Sequence, residues 1–150
     1  MAVTIERLRP QDSDTLFEWV NDPVVIGQTS SVFRATPRPT HDAWFARAIA
    51  SEGVFGIHED GVLVGLVQLL VEGDEAELRI RLGNGVARHP GVGLLAAKET
   101  IRRGFEELGL RRIWAQVPKH NPRALVFNRR LGFAVYDETD EVWLIDQSAA

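Results

Sequence analysis

Two glycines one residue apart, at the head of a long periodic apolar run, constrain this chain more than any other feature. The stretch Arg88-His89-Pro90-Gly91-Val92-Gly93 leads directly into residues 94–108, where Leu94, Ala97, Ile101, Phe105 and Leu108 recur at three- and four-residue steps and predict an amphipathic helix. Gly109 stands where a left-handed C-terminal cap belongs. Glycine-rich backbone at a helix N-terminus can aim several N–H groups at one point, where the macrodipole also favours negative charge. The pattern therefore predicts a phosphate site. No Lys-Ser or Lys-Thr follows the glycines, which argues against a P-loop nucleotidase. No third glycine with a downstream acidic residue completes a dinucleotide fingerprint either.

The segments around that loop organise themselves by period. Val3 to Leu8 reads as a strand, and Asp12, Ser13 and Asp14 then precede a short helix carrying Leu16, Trp19 and Val20 on one stripe. Val24 to Pro39 has no clear period and reads as a long loop that covers a site. Thr40 is positioned to cap a second helix with Trp44, Phe45, Ala48 and Ile49 inward. Val54 to Glu59 and Val62 to Val71 form strands joined at Asp60-Gly61, a strong hairpin signal. In Ala76 to Leu82 strict alternation sets Leu78, Ile80 and Leu82 against Glu77, Arg79 and Arg81, and Gly83-Asn84-Gly85 then suggests a bulge or a ligand passing close to the backbone. After the organising helix come a strand from Arg111 to Val117, a short helix from Ala124 to Leu131, and a hairpin of Phe133 to Asp137 with Val142 to Asp146. A strand, loop, helix and strand in succession make a crossover, so the fold class is α/β (α+β). A mixed central sheet of about seven strands has helices on both faces, in a single domain spanning 1–150.

Composition narrows the function. A net charge of −4 disfavours a general hold on nucleic acid or anionic membrane. With no cysteine there is no thiolate nucleophile, thiolate zinc site or disulfide, and no His, Asp or Glu cluster has metal-ligand spacing, so no metal is expected. Without an apolar run of signal or membrane-span length, the expected location is cytoplasmic, as a monomer or homodimer.

Arg88-x-x-Gly91-x-Gly93 resembles the pyrophosphate loop of the GNAT superfamily of acyl-CoA-dependent N-acetyltransferases. Asn121-x-Arg123-Ala124 followed by Leu131-Gly132-Phe133 looks like that family's second signature, and the order of elements matches too. Trp19 to Pro23, with Trp44-Phe45, is similar to a subgroup that includes nucleotide-aminosugar acetyltransferases and ribosomal-protein N-terminal acetyltransferases. The resemblance implies acetyl-CoA as cosubstrate, with its pantetheine arm on the backbone of Leu82, Gly83 and Asn84 where two parallel strands splay apart. It implies pyrophosphate contacts from the stretch Val86 to Ala97, through Arg88, His89, Gly91, Val92, Gly93 and Leu94, and cofactor contacts from Asn121 and Ala124. The chain departs from the family at Pro90, which offers no N–H, and at Asn128, where many members carry a tyrosine acid.

Attack on a thioester needs a neutral amine, so a proton acceptor is required. Glu77, on the polar face of the strand that leads to the loop, is the first candidate for that catalytic role. Arg79 and Arg81 share its face and would suit an anionic acceptor. His41 and His120 read as exposed histidines of ordinary kind, and Tyr136 could serve as acid only if the last hairpin folds over the thioester. The expected activity is acetyl transfer to a primary amine of a small metabolite such as an amino sugar. The alternatives are a protein N-terminal acetyltransferase of ribosomal-protein type and a non-catalytic acyl-CoA-binding module.

Overall fold

The computed structural model describes residues 2–150. Seven strands form one sheet in the order β1 (Val3–Arg7), β2 (Val54–Glu59), β3 (Val62–Glu72), β4 (Glu75–Leu82), β5 (Arg112–Pro118), β7 (Val142–Ser148) and β6 (Ala134–Glu138). Every neighbouring pair is antiparallel except β4 and β5, which run parallel because helix α4 (Val92–Glu106) carries the chain across between them. The β2–β3 hairpin turns at Asp60 and Gly61, whose φ of 50° and 85° suit the twist of the flanking strands.

Helices cover both faces. On one, α4 and α5 (Pro122–Arg130) pack over Leu69, Leu78, Ile113 and Ile145. On the other, α1 (Ser13–Val20) and α3 (Arg38–Ala50) enclose a smaller cluster of Leu8, Leu16, Ala48 and Val54. The buried stripe of α4 keeps Ala97 and Ile101 of the predicted stripe and is completed by small residues rather than by its other large ones. Ala96, Ala97, Thr100 and Gly104 face the sheet, while Leu94, Phe105 and Leu108 flank them, partly buried. Small residues let the helix approach closely: a Cβ on Gly104 would lie 3.0 Å from Ile113 Cδ1.

The segment read as a loop from Val24 to Pro39 begins instead with a helical turn, α2 (Pro23–Ile26), which buries Val25 and Ile26. Asp22 caps it by accepting from the Val24 N–H at 2.9 Å, a local bond that hydrophobic periodicity over four residues cannot reveal. Helix α3 starts at Arg38, with Pro37 rather than Thr40 at the cap position and Pro39 in its first turn. His41 is consequently turned inward and is 2% exposed. Its Nε2 lies 3.0 Å from the Ser13 carbonyl, among Phe17, Trp44 and Phe45, so its role is structural.

Gly83 follows β4 where two side chains of the protein come close to its backbone. A Cβ there would meet the Trp19 ring at 2.6 Å and Val86 at 2.7 Å, so the indole of α1 lies directly on this backbone. Gly83→Ala should therefore destabilise the fold by about 1–3 kcal/mol through overpacking, read as a lowered melting temperature, and Trp19→Phe in the same chain should recover part of the loss.

Candidate active site

Strands β4 and β5 pair over only three residues, Glu75↔Arg112, Ala76↔Ile113 and Glu77↔Trp114, and part beyond Glu77. The opening is a cleft of about 580 Å³, walled by β4 from Glu77 to Leu82, by β5 from Ala115 to Pro118, and by Gly93, Phe127 and Asn128 of α4 and α5. Pairing with β3 decides which backbone groups it exposes. Gly83 N–H donates to the Val64 carbonyl at 2.8 Å, and antiparallel pairs alternate, so the amide and carbonyl of Leu82 point away from β3 into the opening.

Both of those groups are engaged by one side chain that the sequence gives no reason to single out. Gln28 Nε2 donates to the Leu82 carbonyl at 2.7 Å, and the Leu82 N–H donates to Gln28 Oε1 at 2.9 Å. The rest of that segment spans the cleft. Asn121 Nδ2 donates to the Gln28 carbonyl at 3.3 Å, His120 Nε2 to the Gly27 carbonyl at 2.8 Å, and Arg81 Nε to Thr29 Oγ1 at 2.7 Å. Residues 27–29 thus strap β4 to the turn between β5 and α5. The carboxamide of Asn121 also accepts from the Ala124 N–H at 3.3 Å as the cap of α5, so both residues expected at a cofactor lie beside the cleft with their polar groups partly committed.

The predicted phosphate loop is held from below. Glu59, 3% exposed, accepts from the Arg88 N–H at 2.7 Å and the His89 N–H at 3.1 Å. These two amides are therefore occupied. The first turn of α4 has no side-chain cap, which leaves the N–H groups of Gly93 and Leu94 directed out of the helix end. β2 is buried along its whole length, so the carboxylate at its end needs donors, which the amides of Arg88 and His89 supply. Gly91 and Gly93 are not among the residues with positive φ. Gly93 matters for another reason: a Cβ on it would face Leu82 and Phe127 at 3.6 and 3.8 Å, across the floor of the cleft. Asn84 and Val86 are exposed on the connection to this loop.

Glu77 stands at the vertex where the strands part, 8% exposed. Arg79 donates to its Oε1 at 3.1 Å and Gln116 to its Oε2 at 3.3 Å. An ionised carboxylate has about four lone-pair positions, so two remain for a water or an amine in the cleft. Arg81 lies half-buried on the same face. Burial, with the like charge of Arg79 beside it, pushes its guanidinium below the usual value. Asn128 lines the cleft but spends its Nδ2 on the Ala124 carbonyl at 2.7 Å. Tyr136 is on the edge strand β6 beneath the Arg112 guanidinium, outside the cleft lining. Among the described residues no group of three or more His, Asp or Glu side chains could hold a metal ion, and no helix is long and apolar enough to cross a membrane.

Residues 2–134 match the family model described as an acetyltransferase (GNAT) domain. No curated protein matches significantly. Among solved structures, the chain is similar to spermidine N-acetyltransferase from Vibrio cholerae in complex with CoA and spermine, at 16% identity and a TM-score of 0.81 over 97% of this chain and 95% of that one. It is also similar to the N-acetyltransferase PseH of Campylobacter jejuni in complex with acetyl coenzyme A, at 17% identity and a TM-score of 0.74 over 99% and 100%. The PaiA N-acetyltransferase of Thermoplasma acidophilum in complex with coenzyme A gives 18% and 0.75 over 99% and 100%.

Proposed function

The chain belongs to the GNAT acetyltransferase family, and from that premise we propose that it is an acetyl-CoA-dependent N-acetyltransferase acting on a primary amine of a small molecule. The observation that carries this reading is the cleft between β4 and β5, which widens from the vertex beside Glu77 toward the uncapped first turn of α4. The cleft fits an extended acyl-thioester carrier. Its pyrophosphate would take the Gly93 and Leu94 N–H groups at the positive end of the α4 dipole, and its pantetheine amides would take the Leu82 backbone. The carrier supplies the activated acetyl group.

The residues of the chain then have defined tasks. Glu77, directly or through a water, accepts the proton of the amine, whose nitrogen attacks the thioester carbonyl; the new C–N bond forms as the C–S bond breaks. The sulfur leaves as a thiolate and is protonated by solvent, since Asn128 cannot donate at neutral pH. A thiol of ordinary acidity is a tolerable leaving group on that route. With no cysteine in the chain, attack within a ternary complex is the simplest course.

A small-molecule acceptor is favoured over a ribosomal-protein N-terminus by Arg79 and Arg81, which suit an anion that a peptide terminus lacks. They oppose a polycation such as the substrate named for the Vibrio cholerae enzyme. An amino sugar carried on a nucleotide would meet them through its diphosphate. Thiol release from acetyl-CoA with a panel of amines tests the assignment, and saturable acetyl-CoA binding with no release for any amine would replace it by a binding module.

The Gln28 strap yields a separate expectation. If pantetheine takes the Leu82 amide and carbonyl, it displaces two existing hydrogen bonds, each worth about 0.5–1.5 kcal/mol net. Gln28→Ala should then bind acetyl-CoA about 5- to 150-fold more tightly by calorimetry. Weaker binding would mean that the strap closes over the carrier rather than standing in its place.

A further inference from the structure

A second chamber of about 440 Å³ opens on the other side of Arg79 and Arg81, roofed by α1, α2 and α3 over β3 and β4. Its walls are mostly apolar, among them the indoles of Trp19 and Trp44 and the side chains of Leu16, Ile26, Leu66 and Leu70. Its charged side chains are Arg47, Arg79 and Arg81. No carboxylate lines it, in a chain where acidic residues outnumber basic ones by 21 to 17. Arg79 and Arg81 also line the cleft, so the two spaces meet at these guanidinium groups.

Building on the acetyltransferase reading, we propose that this chamber receives the acceptor. The acceptor is a primary amine of amino-acid size that carries one carboxylate and an apolar or aromatic body, and Arg81 holds its carboxylate.

Three observations converge on that chemistry. Arg79 already has an acidic partner in Glu77, whereas Arg81 has none among the described residues; its Nε reaches Thr29 and its two terminal nitrogens are left for a bidentate anion. A guanidinium drawn partly out of water beside another arginine, as Arg81 is beside Arg79, is unfavourable until an anion meets it. The body of the acceptor follows from the walls. A sugar would need a partner for nearly every hydroxyl, and apart from the arginines the chamber offers Gln68, Thr36 and Thr40, with His41 already engaged by Ser13. Indole and aliphatic walls instead reward an apolar group, and the volume lies toward the small end for a ligand site. An amine on the carbon that bears the carboxylate would sit where chamber and cleft meet, with Glu77 facing it from the vertex.

The test uses the full chain with phenylalanine, leucine, phenethylamine, spermidine and a uridine-diphosphate amino sugar as acceptors, read by thiol release. Phenylalanine or leucine should exceed phenethylamine in kcat/KM by about 10- to 100-fold, the value of a charge-assisted contact. In Arg81→Met that ratio should collapse toward one through KM, with folding of the variant read separately from its circular-dichroism spectrum and cooperative melting. Equal use of phenethylamine, a preference for spermidine, or a preference for the amino-sugar nucleotide would overturn the proposal and leave the transferase reading standing. Should no amine release thiol, the transferase reading fails by itself. Quenching of tryptophan fluorescence by 3-phenylpropionate, present in the wild type and lost in Arg81→Met, then decides whether the chamber takes an apolar carboxylate, and its absence overturns the proposal.

Discussion

Glu77→Gln should lower turnover by about two to four powers of ten and leave acetyl-CoA affinity nearly unchanged. The scale is that of a positioned proton acceptor. The carboxamide is almost isosteric and can still accept from Arg79 and donate or accept at Gln116, so the vertex of the two strands should keep its shape. What disappears is a group able to hold the amine's proton as the C–N bond forms. A pyrophosphate at the first turn of α4 would not touch residue 77, which is why binding and turnover should separate. Steady-state thiol release from pH 6 to 9, with acetyl-CoA binding measured independently, checks both halves. A variant turning over at near wild-type rate across that range would assign the proton to water, with Glu77 left as the partner that orients Arg79.

Glu77 was legible in the sequence because alternation in a strand is a strong signal: Leu78 faces the core of α4, and its neighbours must face the other way. The hairpin at Asp60-Gly61 and the left-handed Gly109 were legible for a comparable reason, since each sits where only a few residue types can adopt the required backbone. The sequence did less well wherever the deciding contact comes from far along the chain. Nothing local marks Gln28, whose carboxamide pairs with a backbone 54 residues away. Gly83 advertises space for something close by, yet a sequence cannot say that the neighbour is Trp19 rather than a ligand. His41 looks like a surface histidine until Ser13 and three aromatic rings from two helices surround it. The arginines were found and their setting was not. That Arg79 and Arg81 lie between a cleft and an apolar chamber depends on how α1, α2 and α3 settle over β3 and β4, and no single window contains that information.

Gly93→Phe should abolish acetyl-CoA binding while leaving the fold intact. Glycines before a helix suggest backbone freedom, but Gly93 lies inside α4 at ordinary helical geometry, and its first added atom would find only van der Waals contact with Leu82 and Phe127. Alanine should therefore be accommodated, with binding close to wild type. A phenyl ring has no such latitude, because every atom beyond Cβ enters the floor of the cleft between β4 and α5, where the carrier would pass from the helix N-terminus to the strand. At acetyl-CoA near one hundred times its dissociation constant, the wild type should gain about 2.7 kcal/mol, a melting shift of several degrees for a chain of this size. The shift should persist in Gly93→Ala and vanish in Gly93→Phe, with the unliganded melting temperatures of all three proteins within a few degrees of one another. If the phenylalanine variant keeps the full shift, the carrier does not run through this cleft, and the first turn of α4 loses its claim to the pyrophosphate.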